Sequence, residues 1–268
     1  MISVIVLALD EEVRLPACLA ALAGQAPHEL IVVDGGSTDR SVEIARAAGA
    51  QVIASEPGRA LQANHGAAAA VGDILLFVHA DTRLAPGALK LVEQTLAADP
   101  GIVGGSFTLR FDHAGVILRL FEAFGGLYHH VFKSLYGDRG IFVRRSAFLA
   151  LHGFRPLAFM EDYDLGRRLP RLGRIRILCR PVTTSAREFE AQGPFVLGVK
   201  LCVCLTGFRA GVEPRILRRF YYGRGGDGAR EGDLSARERD IRVRERDIRA
   251  PERGPAATRS RTQVKGVA

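Results

Sequence analysis

Four short apolar runs, Ile2–Leu9, Leu30–Val33, Gln51–Ala54 and Ile74–Val78, alternate with helix-patterned segments over the first 98 residues. Val13–Leu22 reads as an amphipathic helix, and Asp39 can cap a helix through Ala48 that ends at Gly49. Ala60–Val71 is alanine-rich, and Pro86 opens a helix to about Ala98. The runs are too short for helices and suit strands buried from both sides. The pattern predicts an α/β fold whose mostly parallel central sheet carries helices on both faces.

The second half is less regular. Val103–Phe111, Ile141–Arg144 and Ile175–Leu178 read as strands. Val116–Phe132 reads as a helix broken at Gly125-Gly126, and Glu161–Leu172 as another. Phe195–Phe208 is helical too, either a core helix, the preferred reading, or one lying against a membrane surface. Phe121, Phe124, Leu127 and Tyr128 divide in the same way between core, again preferred, and an apolar acceptor groove.

After Gly223 the composition changes. Arg237-Glu-Arg-Asp-Ile-Arg recurs seven residues later, with too few apolar residues to bury anything. The expectation is one domain over residues 1–223 and a disordered or fraying charged tail over 224–268. The net charge is +8, but the tail holds twelve basic and eight acidic residues, leaving 25 against 21 in the body. So small a surplus is a weak footprint for a polyanion, and no nucleic-acid partner is expected. Cys18, Cys179, Cys202 and Cys204 form no CxxC pair, consistent with reduced thiols in the cytoplasm. The opening strand reaches Asp10 without a basic leader, and no long uncharged run suits a membrane span, so peripheral contact with the inner membrane face is the most the pattern allows.

In a parallel sheet, ligands bind at the carboxyl ends of strands. Asp10, Asp34 and Asp81 each follow a predicted strand, so all three should line one edge. Asp34-Gly35-Gly36-Ser37-Thr38-Asp39 sets an acid before two glycines, which suits either a base or ribose contact or a plain βα turn capped by Asp39. Asp81 is either a solvated loop acid or one ligand of a hard cation such as Mg²⁺ or Mn²⁺, with His79 on the same side of the chain to orient it. Glu161-Asp162-Tyr163-Asp164 opens a helix. The dipole and an Asp164–Arg168 pair explain Asp164 but do not require two acids before Tyr163. Adjacent carboxylates raise one another's pKa, which favours one of them as a general base.

Taken in order, these strings resemble family 2 glycosyltransferases of GT-A fold. Ile5–Glu12 is similar to the opening strand and acidic turn, and Asp34–Asp39 to the DDGSTD-like turn. Gly58-Arg59-Ala60 through Asn64-His65-Gly66 is similar to the GxAxARNxG-like helix start. His79-Ala80-Asp81 stands at the DxD position, and Gly140–Arg145, Gly153-Phe154 and Glu161-Asp162 at the acceptor-side strand and ED motif. The resemblance spans Met1 to about Ser185, and narrower strings such as LLFVHADT and MEDYDLGRRL look like a bacterial subgroup of small single-domain members.

The resemblance implies a nucleotide-sugar half over residues 1–100 and an acceptor half over 101–223. It implies that Asp34 contacts the base, that Asp10 and Glu11 line the nucleoside pocket, and that Arg59, Asn64 and Ala80 belong to the donor site. Asp81 would hold the metal, and Asp162, with Glu161 beside it, would deprotonate an acceptor hydroxyl, amphiphilic if the apolar segments line its groove. The expected reaction is inverting transfer from a UDP- or GDP-sugar. Two positions depart from the pattern: Gly35 replaces a second acid and His79 the first acid of DxD. Ser185-Ala186-Arg187-Glu188-Phe189 stands where processive synthases carry QxxRW, so single transfers are expected. A sugar-phosphate nucleotidyltransferase is the nearest alternative, but Asp10-Glu11-Glu12 is unsuited to an incoming triphosphate. A non-catalytic adaptor using the basic tail is the other.

Overall fold

The computed structural model describes residues 1–113, 115–132 and 134–223, and the charged tail lies outside the described residues. The strands are β1 (Ile2–Ala8), β2 (Glu29–Asp34), β3 (Gln51–Ala54), β4 (Ile74–His79), β5 (Ile102–Phe111), β6 (Ile141–Arg144) and β7 (Arg174–Thr184). They form one sheet in the order β3-β2-β1-β4-β6-β5-β7. β1 pairs in parallel with β2 and β4, β2 with β3, and β5 with β7, while β6 runs antiparallel between β4 and β5. The helices are α1 (Leu15–Ala23), α2 (Ser41–Ala47), α3 (Arg59–Ala69), α4 (Ala88–Ala98), α5 (Val116–Phe132), α6 (Arg145–Ala150), α7 (Glu161–Arg168), α8 (Arg187–Gln192), α9 (Pro194–Arg209) and α10 (Pro214–Tyr222).

Strand alternation sends successive side chains into two cores. Val4 and Val6 of β1 and Leu76 and Val78 of β4 pack with Leu15, Leu19 and Leu22 of α1 and with Val92 and Leu96 of α4. Ile5, Leu75, Phe77, Ile141 and Val143 face the other way, onto Ala60, Ala63 and Ala67 of α3 and onto Phe148 and Leu165. A Cβ at Gly66 would lie 2.4 Å from Ile5 Cγ2, so α3 lies close against the sheet through its alanines and this glycine. The sheet is therefore covered on both faces, as the continuous apolar runs require.

Several elements differ from the sequence reading. α5 runs unbroken through Gly125-Gly126. Two interior glycines cost roughly 2 kcal/mol of helix propensity, and packing against β5 and α9 outweighs that. Leu127 on this helix is 63% exposed, against the core reading, while Phe121 packs edge-on to Phe189. Phe124 and Tyr128 have side chains outside the described part. α9 is no core helix, since its buried residues are Leu197, Cys204 and Leu205 and Phe195 is 82% exposed. α7 stops at Arg168, where a 3₁₀ turn over Leu169–Arg171 begins and Pro170 removes a helix donor. β7 runs to Thr184, well past Leu178, and carries Pro181 at a register shift on the sheet's edge, where a missing donor is tolerated. Among the described residues no helix is long and apolar enough to cross a membrane.

Candidate active site

Strand order fixes where the chemistry gathers. β1 is flanked by β2 and β4, so its connections leave in opposite directions and open a crevice at the carboxyl ends. Ala8 pairs with Asp34 and Leu7 with His79, which brings the ends of β1, β2 and β4 level. Because β6 is antiparallel, its start at Ile141, opposite Phe77, delivers the 3₁₀ turn Gly137–Arg139 to the same edge. β7 points the same way as β4, so Arg187, three residues beyond its end, arrives there too.

The loops after β1 and β2 lock together through their acids. Asp10, at φ 52°, accepts from the Thr38 N–H at 2.7 Å, and its own N–H donates to Ser37 Oγ at 2.9 Å. The N–H of Glu11 donates to Ser41 Oγ and that of Glu12 to Asp39 Oδ2, each at 2.9 Å. Asp39 Oδ1 also accepts from the Ser41 N–H at 2.9 Å, although Arg40 and not Asp39 stands at the N-cap of α2. Asp34 is buried and accepts from the N–H groups of Gly36 at 3.0 Å and Ser37 at 3.1 Å. Any contact it makes to a ligand must use the lone pairs that these donors leave. Gln62 ties α3 to this crevice by donating to the carbonyls of Ala8 and Val33.

His79 is the centre of the site. Burial and the Arg59 guanidinium push its imidazole down to about 4, against the opposing pull of Asp81 and Asp162, with Arg187 adding to the downward push. It is therefore neutral near pH 7 and keeps a free ring lone pair for a donor or cation. Gly137 fills the gap between His79 and Asp162: a Cβ there would lie 2.6 Å from His79 Nε2 and 3.5 Å from Asp162 Oδ2. The Gly137 N–H donates to Asp162 Oδ2 at 2.6 Å, which fixes the carboxylate's direction. Arg59, His79, Gly137, Glu161 and Asp162 line one cleft together with Leu7, Phe77 and Phe154. Arg59 donates to Tyr222 Oη at 2.8 Å, so α10 reaches the cleft's mouth.

Asp81 stands beside this cleft. Its carboxylate lies 3.6 Å from Arg187 Nη2, which also donates to Glu11 Oε1 at 2.8 Å. Among the described residues no three His, Cys, Asp or Glu side chains gather as a metal cage. Mg²⁺ and Mn²⁺ do not need one, since such ions take one or two carboxylates and complete their shell with water and substrate phosphate. A part-exposed carboxylate next to a neutral imidazole fits that donor set. Cys18, beneath Asp81, is pushed up to about 12 by burial and by that carboxylate, and is inert.

Two expected residues, Asn64 and Ala80, make contacts within the protein, and Asp164 is the structural acid that the helix spacing implies. Asn64 clasps the Phe154 backbone from both sides, donating to its carbonyl at 2.8 Å and accepting from its N–H at 2.9 Å. The Ala80 side chain lies in the core and its N–H donates to the Leu7 carbonyl. Asp164 is a buried partner of Arg168, at 2.7 Å, as the helix spacing implies, while Asp162 faces the cleft. Arg187 and Gly137 were absent from the expected site. Arg187 had a signal in its place beside the missing QxxRW string; Gly137 had none.

The sequence matches the model of glycosyl transferase family 2 over residues 3–149. The 4,4'-diaponeurosporenoate glycosyltransferase of Staphylococcus haemolyticus is 41% identical over 218 residues, covering 72% of this chain and 55% of that protein. The PGL/p-HBAD biosynthesis glycosyltransferase of Mycobacterium bovis is 32% identical over 161 residues, 55% of this chain and 60% of that protein. The chain thus spans little more than half the length of these curated relatives. Glucosyl-3-phosphoglycerate synthase from Mycobacterium tuberculosis, solved with Mn²⁺, UDP and glucosyl-3-phosphoglycerate, superposes with a TM-score of 0.56 at 22% identity, over 79% of this chain and 80% of that one. S. aureus TarS 1-349 with UDP-GlcNAc gives 0.57 at 18%, over 82% and 70%. At these identities they share the GT-A fold. With its family model covering more than half the chain, the protein belongs to glycosyl transferase family 2.

Proposed function

We propose that this enzyme moves a sugar from a nucleotide-diphosphate donor to an acceptor hydroxyl, one transfer at a time and with inversion at the anomeric carbon. One observation carries the reading: Arg59, His79 and Asp162 line one cleft at the carboxyl edge of the sheet, and Asp81, two residues after His79, lies 3.6 Å from Arg187. A donor diphosphate is the ligand that uses two guanidinium groups and a lone metal-binding carboxylate together. Arg59 and Arg187 offset its charge. Asp81 would hold a divalent cation together with the diphosphate oxygens. When bound, that cation supplies Lewis-acid neutralisation of the leaving group.

Asp34 would accept from the base or ribose, with Asp10 and Glu11 shaping the nucleoside side. The names of two structural neighbours include UDP or a UDP-sugar, which supports uridine over guanosine. On the acceptor side, the hydroxyl oxygen bonds to the anomeric carbon as the bond to the diphosphate breaks. Its proton passes to Asp162, and attack from the face opposite the leaving group inverts the centre. Glu161 lies buried beside Asp162 on the cleft wall. No disulfide joins the four cysteines, which supports a reducing compartment such as the cytoplasm.

A thermal-shift panel of UDP, GDP and CDP, each with and without Mn²⁺, tests the donor half. UDP with Mn²⁺ at roughly a hundred times Kd should raise Tm by about 5 °C or more, and UDP alone by much less. A flat panel would remove the nucleotide-sugar reading. Gly137→Ala should lower kcat/KM by about a hundredfold with the circular dichroism spectrum unchanged, because His79 must move from its place beside Asp162. Wild-type kinetics in that variant would mean that this contact positions nothing.

A further inference from the structure

We infer that α5, α9 and α10 form a docking face for an anionic phospholipid surface. At about 100° per residue, Phe195, Val199, Cys202, Val203 and Thr206 of α9 fall in one outward stripe, and all are exposed. Gly198 and Gly207 fall on its two flanks, about 180° apart on the same wheel. A Cβ at Gly198 would meet Phe121 of α5 at 2.9 Å, and one at Gly207 would meet Leu217 of α10 at 2.9 Å. α9 is therefore the middle helix of a side-by-side layer.

Its neighbours expose apolar residues away from those contacts and from the buried side. On α5 these are Val116 (79% exposed), Leu120, Ala123 and Leu127, which helical spacing sets in one line; on α10 they are Ile216 (59%) and Phe220. So many exposed aliphatic and aromatic residues on three adjoining helices exceed the scatter of an ordinary surface, where such residues stand singly.

Charge identifies the occupant. From Pro194 to Tyr222 the chain carries Lys200, Arg209, Arg215, Arg218 and Arg219 against Glu213 alone. Lys200 also bonds to Gln192 Oε1 and the Tyr221 carbonyl, Arg209 bonds to Tyr163 Oη at 2.6 Å, and Arg215 and Arg218 have partners within the protein as well. An apolar stripe with basic residues around it is what an interfacial helix presents to anionic lipid. A second copy would bring the same basic patch against itself across a two-fold axis, which disfavours a dimer through this face. α10 links this surface to the cleft, since its Tyr222 accepts from Arg59.

The inference stands apart from the sugar-transfer reading, because docking and donor binding can each fail alone. The full chain should co-sediment with phosphatidylglycerol–phosphatidylcholine vesicles and much less with phosphatidylcholine alone. Phe195→Asp/Val199→Asp should weaken that partitioning by at least about tenfold. Arg215→Gln/Arg219→Gln should weaken it by about fivefold per charge and reduce its sensitivity to salt. Tm and the UDP–Mn²⁺ shift should stay at wild-type values in both variants. No vesicle binding by the wild type overturns the inference. So does binding that survives the aspartates, which would place the contact elsewhere on the chain. A dimer in gel filtration that Phe195→Asp dissolves would show that a second copy covers the face and would also overturn it.

Discussion

Asp162→Asn is expected to cut transfer by about a hundred- to ten-thousand-fold while leaving the UDP–Mn²⁺ thermal shift within error of wild type. The amide keeps the shape and can still accept the Gly137 N–H, which now reaches Asp162 Oδ2 at 2.6 Å. It cannot take a proton from the acceptor. The loss should therefore fall on kcat, with the KM for the donor little changed, because the proposed donor contacts are Arg59, Asp81 and Arg187 and not Asp162. Asp164→Asn separates the base from a structural acid nearby on the same helix. It breaks a buried pair with Arg168 at 2.7 Å and should appear mainly as a lower Tm. Normal turnover by Asp162→Asn would show that another group takes the proton.

Asp81→Asn is expected to abolish the Mn²⁺-dependent part of the nucleotide shift and to lower transfer by at least about a hundredfold. The argument is one of ligand number. Among the described residues the site offers no cage of three ligands, so one carboxylate carries most of the protein's hold on the ion. Replacing it removes charge and leaves a neutral oxygen, which hard cations bind poorly without further carboxylates. Arg187 reaches Asp81 at 3.6 Å and Glu11 at 2.8 Å, so it keeps a partner when Asp81 is neutralised, and the fold should persist. If Asp81→Asn kept the full Mn²⁺ shift, the ion would be held elsewhere and the mechanism would need a different ligand.

Much of this site was legible because its first three acids sit at the ends of strands that announce themselves. β1 and β4 are unbroken apolar runs buried on both faces, so their ends, and with them Asp10 and Asp81, could be placed to within a residue or two. The separation of Asp162 from Asp164 was legible too, since helix spacing accounts for one and leaves the other over. Arg187 was not. β7 alternates poorly, carries Pro181 and shifts register, so the readable strand stopped at Leu178 and left Arg187 without an address. Asn64 is different again: its place in a family-like string suggested a ligand contact, and only the structure shows that its amide also clasps the Phe154 backbone. Whether a side chain faces a ligand or a neighbouring loop is decided by what folds next to it.

The sequence by itself determined the alternation of strands and helices, the two-faced core and the edge at which Asp10, Asp34 and Asp81 end, because periodicity and strand ends are local properties of the chain. Only the tertiary structure decided that Arg187 joins Asp81, that Gly137 aims Asp162, and that α9 shows its apolar stripe outward. Each of these depends on which distant segments pair, and pairing is set by packing across the whole sheet.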